Sequence, residues 1–270
     1  MLSYQWHAGG ESHDLRLVHV AGTAGMPYAF GTGSRRRPIA IRDFHIMATP
    51  VTQALWQHIM GSNPACRPDL RCPVENVSWY DVTAPDGFLD RINASAALAA
   101  VSGAAPLARF RLPSETEWEY AARGGPHWRD GFRFSGSNDA AAVAWYGRHW
   151  SGIHELMVRL FGRRRGWRLA NRLRFGIPLP TRTHDVATKA PNQLGIYDMS
   201  GNVWEWCQDA CTDELAALPE DGTAWPGPSP ERRLRGGCHH NWDLHCTVDW
   251  RYGIEPDAHD GCIGLRLALS

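Results

Sequence analysis

Lysine is nearly missing from this chain: Lys189 is the only one among 28 basic residues. The others are arginine, which reads mainly as a coding bias toward GC-rich codons. Net charge is missing too, with 28 basic against 28 acidic residues, so the chain as a whole is not a polyanion binder. No apolar run approaches the ~20 residues needed to span a bilayer. The opening MLSYQWHAGGESHD lacks the basic start and apolar stretch of a secretory signal. These absences set the expectation of a cytoplasmic location with reduced thiols, export by another route or carriage in a phage particle being the other settings. The seven cysteines are odd in number and show no CxxC spacing. Cys66 and Cys72 flank a short polar loop and are expected as two thiols, a pair forming only under an oxidant.

What is present fits a globular domain. A length of 270 residues suggests one large domain or two small ones. The 13 tryptophans are many, and tryptophan either fills cores or marks contact surfaces.

The first 45 residues read as short strands and turns. LRLVHV and PIAIRDFHI alternate apolar and polar residues as half-buried strands do. TPVTQALWQHIMG predicts a helix capped by Thr49 or Thr52, with Pro50 in its first turn and Gly61 as its stop. Val51, Leu55, Trp56 and Ile59 would form its apolar face. VSWYDV predicts a second helix with Ser78 as cap and Asp81 closing a capping box, broken or restarted at Pro85. RLPSETEWEYAARGG predicts a third, boxed by Ser114 and Glu117 and ended by the glycines at 124 and 125. LGIYDMSGNVWEW reads as a turn followed by an aromatic strand. Between Leu156 and His184 there are eight arginines and no acidic residue. We read residues 151–182 as a basic insertion, able to meet an acidic protein, a nucleic acid or a membrane surface. A solvated helical excursion is the plainer reading of the same residues.

In combination, VTQALW, PVENVSWYDV, RLPSETEWEYAARGG, PNQLGIYDMSGNVWEW, RLRGG and IGLR resemble one family, in its usual order, over about residues 15–150 and 183–270. That family is the formylglycine-generating-enzyme, or sulfatase-modifying-factor, subclass of the C-type lectin-like fold. The resemblance implies a single α+β domain over residues 1–270, with short twisted antiparallel strands, two main helices and much irregular loop. It does not fix function, because this fold hosts several chemistries and many binders.

Three functions follow from the resemblance. One is a copper-dependent oxidase that converts a sulfatase cysteine to formylglycine, using cysteines at the fourth and ninth positions after RGG. Two thiolates suit soft Cu(I). Here those positions hold Asn241 and Cys246, so one thiolate is missing and copper is not expected. A second is a sulfoxide synthase, whose iron sits on histidines of a helical domain that this sequence does not show. The third is a non-catalytic ligand-binding protein, the variable protein of a diversity-generating retroelement. Such proteins hold a fixed frame around a hypervariable C-terminal region, expected here at about 238–262. The frame would be RGG, Arg251, Pro256–Asp257 and Ile263–Gly264 to Arg266. The variable, ligand-binding positions would be Cys238, His239, His240, Asn241, His245, Asp249, Tyr252, Gly253, Ile254, Ala258, Asp260, Gly261 and Cys262. Each of these residue types is reachable by randomising the adenines of an AAC codon, whereas Trp, Glu, Lys, Gln and Met are not. Trp242, Trp250 and Arg251 would then be scaffold beneath a solvent-exposed set. The expected partner is a protein or other macromolecule.

Two metal readings compete with this. Cys238, His239, His240, His245 and Cys246 are metal-ligating types, but their spacing matches no common zinc site, and hydrogen-bonded or solvent-facing histidines are expected. Cys246 is expected as a buried structural cysteine rather than an activated thiol. Family members bind calcium near loops related to GNVWEW, which makes Asn202 and Glu205 calcium candidates. The alternative there is a structural turn with Trp204 and Trp206 in the core. No cofactor is required by the leading reading.

Overall fold

The computed structural model describes residues 2–95, 108–147, 160 and 182–270. Of the arginine-rich segment 151–182 only Leu160 and Arg182 are among them, so the expectation of a basic insertion there lies outside the described residues.

Short strands carry the architecture. Leu2–Ala8 (β1) and Glu11–Val20 (β2) form a hairpin, and β2 also pairs with Phe44–Met47 (β5). The five-stranded sheet is completed by Ala268–Leu269 (β11), which lies between β5 and Phe110–Arg111 (β6). Tyr28–Thr32 (β3) and Arg35–Ile39 (β4) form a separate antiparallel pair. A four-stranded sheet is built around Trp204–Ala210 (β7), with Arg232–Arg235 (β8) and Tyr252–Ile254 (β9) antiparallel on one side. Ile263–Leu265 (β10) joins the other side of β7 in parallel, the exception to the antiparallel expectation. Parallel pairing needs a long return connection, and residues 211–262, which carry β8 and β9, supply it.

PIAIRDFHI is divided between β4 and β5. The bonds of residues 40 and 41 go to other loops: Ala40 N donates to Glu220 O, Ile41 N to Thr23 Oγ1, and Thr23 N to Ile41 O. The strand cannot run straight through that junction.

Local signals set the helices. The first, Gln53–Met60 (α1), is capped by Thr52, whose side chain accepts from Leu55 N, and is stopped by Gly61 in a left-handed conformation. It starts later than the pattern suggested. Val51 N donates to Leu265 O and Val51 O accepts from Val74 N, which holds residues 50–52 extended. Ser78 and Asp81 form the expected capping box of Trp79–Thr83 (α2), and the chain restarts after Pro85 as Phe88–Asn93 (α3). Ser114 and Glu117 form the box of Glu115–Ala122 (α4). The largest core cluster draws residues from Trp6 to Leu269 and includes the parallel stack of Trp56 on Phe88. Among the described residues, no helix is long and apolar enough to cross a membrane.

Candidate functional site

The connection from β8 to β10 begins at Gly236 and Gly237, both at positive φ. A side chain on Gly237 would meet Cys246 Sγ and His245 O at 2.7 Å each, so the turn requires glycine. The chain then closes a tight loop: Cys238 N donates to Asn241 Oδ1 at 3.0 Å, and Asn241 N donates to Cys238 O at 2.8 Å. His239 N donates to Asn202 O. A short 3-10 turn, Asp243–Cys246, leads to Trp250 and into β9. Past β9, Trp79 N donates to Pro256 O and Asn76 N to Asp260 O, tying the outer loop to α2 and its approach. Trp204 N donates to Cys262 O as the chain enters β10.

Buried charge holds this frame. Arg251 grips Glu115 with two hydrogen bonds, Nε to Oε1 at 2.7 Å and a terminal nitrogen to Oε2 at 2.6 Å. Arg233 and Arg235 pair with the same carboxylate at 3.1 and 3.0 Å, and Arg235 also reaches Glu119 at 2.7 Å. Burial alone would raise the Glu115 pKa, but these arginines outweigh it and hold the group well below the usual carboxylate range. Asp209 lies alongside, accepting from Glu115 N and Trp225 N. Burial, and then the Glu115 charge, raise it to about 7. The scaffold role expected of Arg251 and Trp250 has these physical grounds: the first is ion-paired and the second is buried with His245 edge-on at 4.5 Å. Trp242 is half-buried.

The expectation that the scattered residues are mostly exposed needs correcting. Cys238, His239, Asn241, His245, Gly253 and Cys262 are buried. His240, Asp249, Tyr252, Ile254, Ala258 and Gly261 are half-buried, and Asp260 is exposed. The first turn packs against the Asn202 loop, which the sequence pattern did not signal. The accessible subset is therefore narrower. Tyr252 and Ile254 share one face of β9, because Gly253 lies between them with its face against Cys211. Asp249 borders a groove of about 650 Å³ lined also by Arg36, Arg129, Arg133 and Trp128.

The calcium expectation for Asn202 and Glu205 also gives way to structural roles. Asn202 Oδ1 accepts from His184 N and its amide donates to His184 O. Glu205 is fully buried, ion-paired to Arg266 at 2.9 Å, and accepts from Trp118 Nε1 at 2.6 Å. Both carboxylate oxygens face a cation or an N–H donor, and the two residues present no shared oxygen cage. Trp204 and Trp206 are core residues, as the alternative reading had it.

At the positions that the resemblance assigns to copper, the Asn241 oxygen is occupied by Cys238 N–H. Cys246 is fully buried, and burial pushes its thiol well above the usual range. These two residues do not fit a two-thiolate copper site. Cys66 is exposed and Cys72 buried, both as thiols. A grouping that spacing could not reveal is Cys238, His240 and Cys262, whose Sγ, ring nitrogen and Sγ all lie within 4.8 Å of one another.

Comparison with known proteins agrees with this architecture. The sulfatase-modifying factor enzyme 1-like domain matches residues 17–270. The chain is 33% identical over 192 residues to Chaperone protein LppX of Paenibacillus barcinonensis, covering 63% of each. It is 28% identical over 243 residues to the formylglycine-generating enzyme of Streptomyces coelicolor, covering 85% of this chain and 65% of that protein. The chain thus spans a little under two thirds of the length of these curated relatives. Among solved structures, Treponema denticola variable protein 1 superposes with a TM-score of 0.68 at 27% identity, over 98% of both chains.

Proposed function

Because the chain belongs to the sulfatase-modifying factor enzyme 1-like domain family, yet holds Asn241 where the resemblance puts a first copper thiolate, we propose that it is a non-catalytic ligand-binding protein. In this reading it is of the retroelement variable-protein type, and its C-terminal connection between β8 and β10 meets a protein or other macromolecule.

The observation that carries the reading is mechanical. Residues 236–262 run from β8 to β10, the two strands flanking β7, and add β9 to the edge of the same sheet on the way, over a core of buried ion pairs. Between those fixed ends, His240, Asp249, Tyr252, Ile254, Ala258 and Asp260 keep accessible surface. A rigid frame with adaptable side chains lowers the ordering cost of binding. The likeness to the variable protein of Treponema denticola over nearly its whole length supports the same reading.

Genomic sequencing around the coding region tests it. The reading expects a near-copy of the 238–262 coding stretch beside a reverse transcriptase gene, with mismatches confined to adenines of the copy. A biochemical arm addresses the oxidase alternative: copper-loaded protein is incubated with a sulfatase-type cysteine peptide and the peptide is weighed. Turnover to the aldehyde would overturn the proposal.

A further inference from the structure

Cys238 and Cys262 are 24 positions apart, yet their sulfurs and a His240 ring nitrogen all lie within 4.8 Å of one another. His240 Nδ1 lies 2.7 Å from Cys262 Sγ, and His239 Nε2 lies 3.9 Å from the same sulfur. We propose that Cys238, His240 and Cys262 form a binding site for one thiophilic metal ion with a filled d shell, zinc(II) or copper(I).

Geometry is the first argument. Ligands at the usual zinc–sulfur and zinc–nitrogen lengths stand roughly 3.3–3.8 Å from one another around a tetrahedral ion. The three ligand atoms, all within 4.8 Å, need move by only about an ångström or less to reach those separations. Chemistry is the second. Two thiolates and an imidazole select zinc(II) or copper(I) over hard cations such as calcium and magnesium. Three ligands complete a trigonal copper(I) sphere. For zinc the fourth position falls to His239, by turning its ring from Gly261 O at 3.3 Å, or to water.

The third argument is that the backbone holds the ligands before any ion arrives. Asn241 Oδ1 fixes Cys238 N, and Asn202 O fixes His239 N. Asp260 Oδ1 fixes Cys262 N, and Trp204 N fixes Cys262 O. Both sulfurs are buried, while His240 is half-buried and marks the side of entry. Such a site is distinct from the copper positions implied by the resemblance, since neither Asn241 nor Cys246 belongs to it. Its effect would be to join the first turn of the connection to the start of β10, closing a loop of residues 239–261. The inference stands on these residues alone and does not rest on the ligand-binding reading.

The test uses the full-length reduced protein, stripped of metal. Cobalt(II) reports thiolate ligation through its sulfur-to-metal charge-transfer absorption, zinc(II) affinity follows from competition with a chromophoric chelator, and copper(I) affinity from competition with bicinchoninate. One equivalent should bind, with thiolate bands, and the two competitions decide between the ions. Cys238→Ser and Cys262→Ser should each weaken binding by about 100-fold or more, whereas Cys66→Ser and Cys246→Ser keep it. His240→Ala changes only a half-buried residue and should weaken binding by more than about tenfold in a protein with unchanged circular dichroism. Absence of stoichiometric binding with thiolate bands overturns the proposal, as does equal affinity in the parent and the His240→Ala variant. Either result leaves the genomic and peptide tests of the ligand-binding reading unaffected.

Discussion

Trp145 and His184 lie face to face, with ring centroids 3.7 Å apart and planes 14° from parallel. The arginine-rich segment falls between them in the sequence, so its two flanks are already joined in space. Trp145 Nε1 also donates to Thr188, and Gly147 N donates to Asn241 O at the base of the C-terminal connection. Replacing residues 152–181 with a short Gly/Ser linker should therefore leave a folded domain, because loop-closure cost changes slowly with length. We expect Tm to shift by only a few degrees, and self-association or nucleic-acid retention to change more. A variant melting far below the parent would show that the segment is part of the core.

Gly253 and Gly261 should respond unequally to the same substitution. A Cβ on Gly253 would sit 2.2 Å from Cys211 Sγ, whereas one on Gly261 finds nothing nearer than 3.4 Å. Gly253→Ala should cost about 1–3 kcal/mol through overpacking, and Gly261→Ala should stay within about 0.5 kcal/mol. Urea denaturation compares them, and equal costs would refute the difference. If the tail varies in nature, position 253 should stay glycine more often than 261.

Glu115 is the shared partner of three arginines, and its neutral form should be poorly tolerated. Glu115→Gln leaves Arg233, Arg235 and Arg251 converging on an uncharged amide, and should cost about 3–5 kcal/mol. Arg251→Gln should cost less, since Glu115 keeps two buried cations. Denaturant midpoints of the two variants rank them, and a milder effect for Glu115→Gln would contradict the network as described.

The contribution of Asp209 to stability should fall as pH rises from about 4 to 7. Asp209, raised from 3.8 to about 7 by burial and by Glu115, holds its proton more tightly in the folded state than in the unfolded chain. The folded state thus binds more protons between those two values, and linkage then lowers stability with rising pH. Asp198, raised to about 6 chiefly by burial, acts in the same direction. Glu115 acts oppositely below the ordinary glutamate range, where its arginine pairing is lost, and His45 and His184, both lowered chiefly by burial, act oppositely as pH rises toward the ordinary histidine value. Asp209→Asn should melt below the parent at pH 5 and approach it at pH 8. Parallel Tm profiles for the two proteins would remove Asp209 as the cause.

Much of the fold is legible where the signal is local. The boxes of Ser78 with Asp81 and Ser114 with Glu117 each involve a few adjacent residues, and both form as the spacing predicts. The start of α1 was not legible, because the bond holding Val51 extended comes from Leu265. The candidate site divides the same way. Arg235, Arg251 and Arg266 stand out as a frame, while the buried carboxylates that need them, Glu115 and Glu205, look in sequence like a helix start and a calcium ligand. The burial of His239 and His245 has no sequence signature either: alternation is lost in an irregular connection, where His239 lies against the distant Asn202 loop and His245 against Trp250.

Leu269 pairs with His45 on one side and Phe110 on the other. The five-stranded sheet therefore stays in two pieces until the ribosome has read the codons for residues 266–269, and contacts of such long sequence separation form late. A base insertion or deletion anywhere in the codons for 238–262 would change Arg266, Ala268 and Leu269 together. Glu205 would lose its cation and the sheet its joining strand, leaving a chain that proteases remove. Base substitutions preserve those residues. Translation and folding thus proofread the reading frame of the tail through residues that lie beyond it.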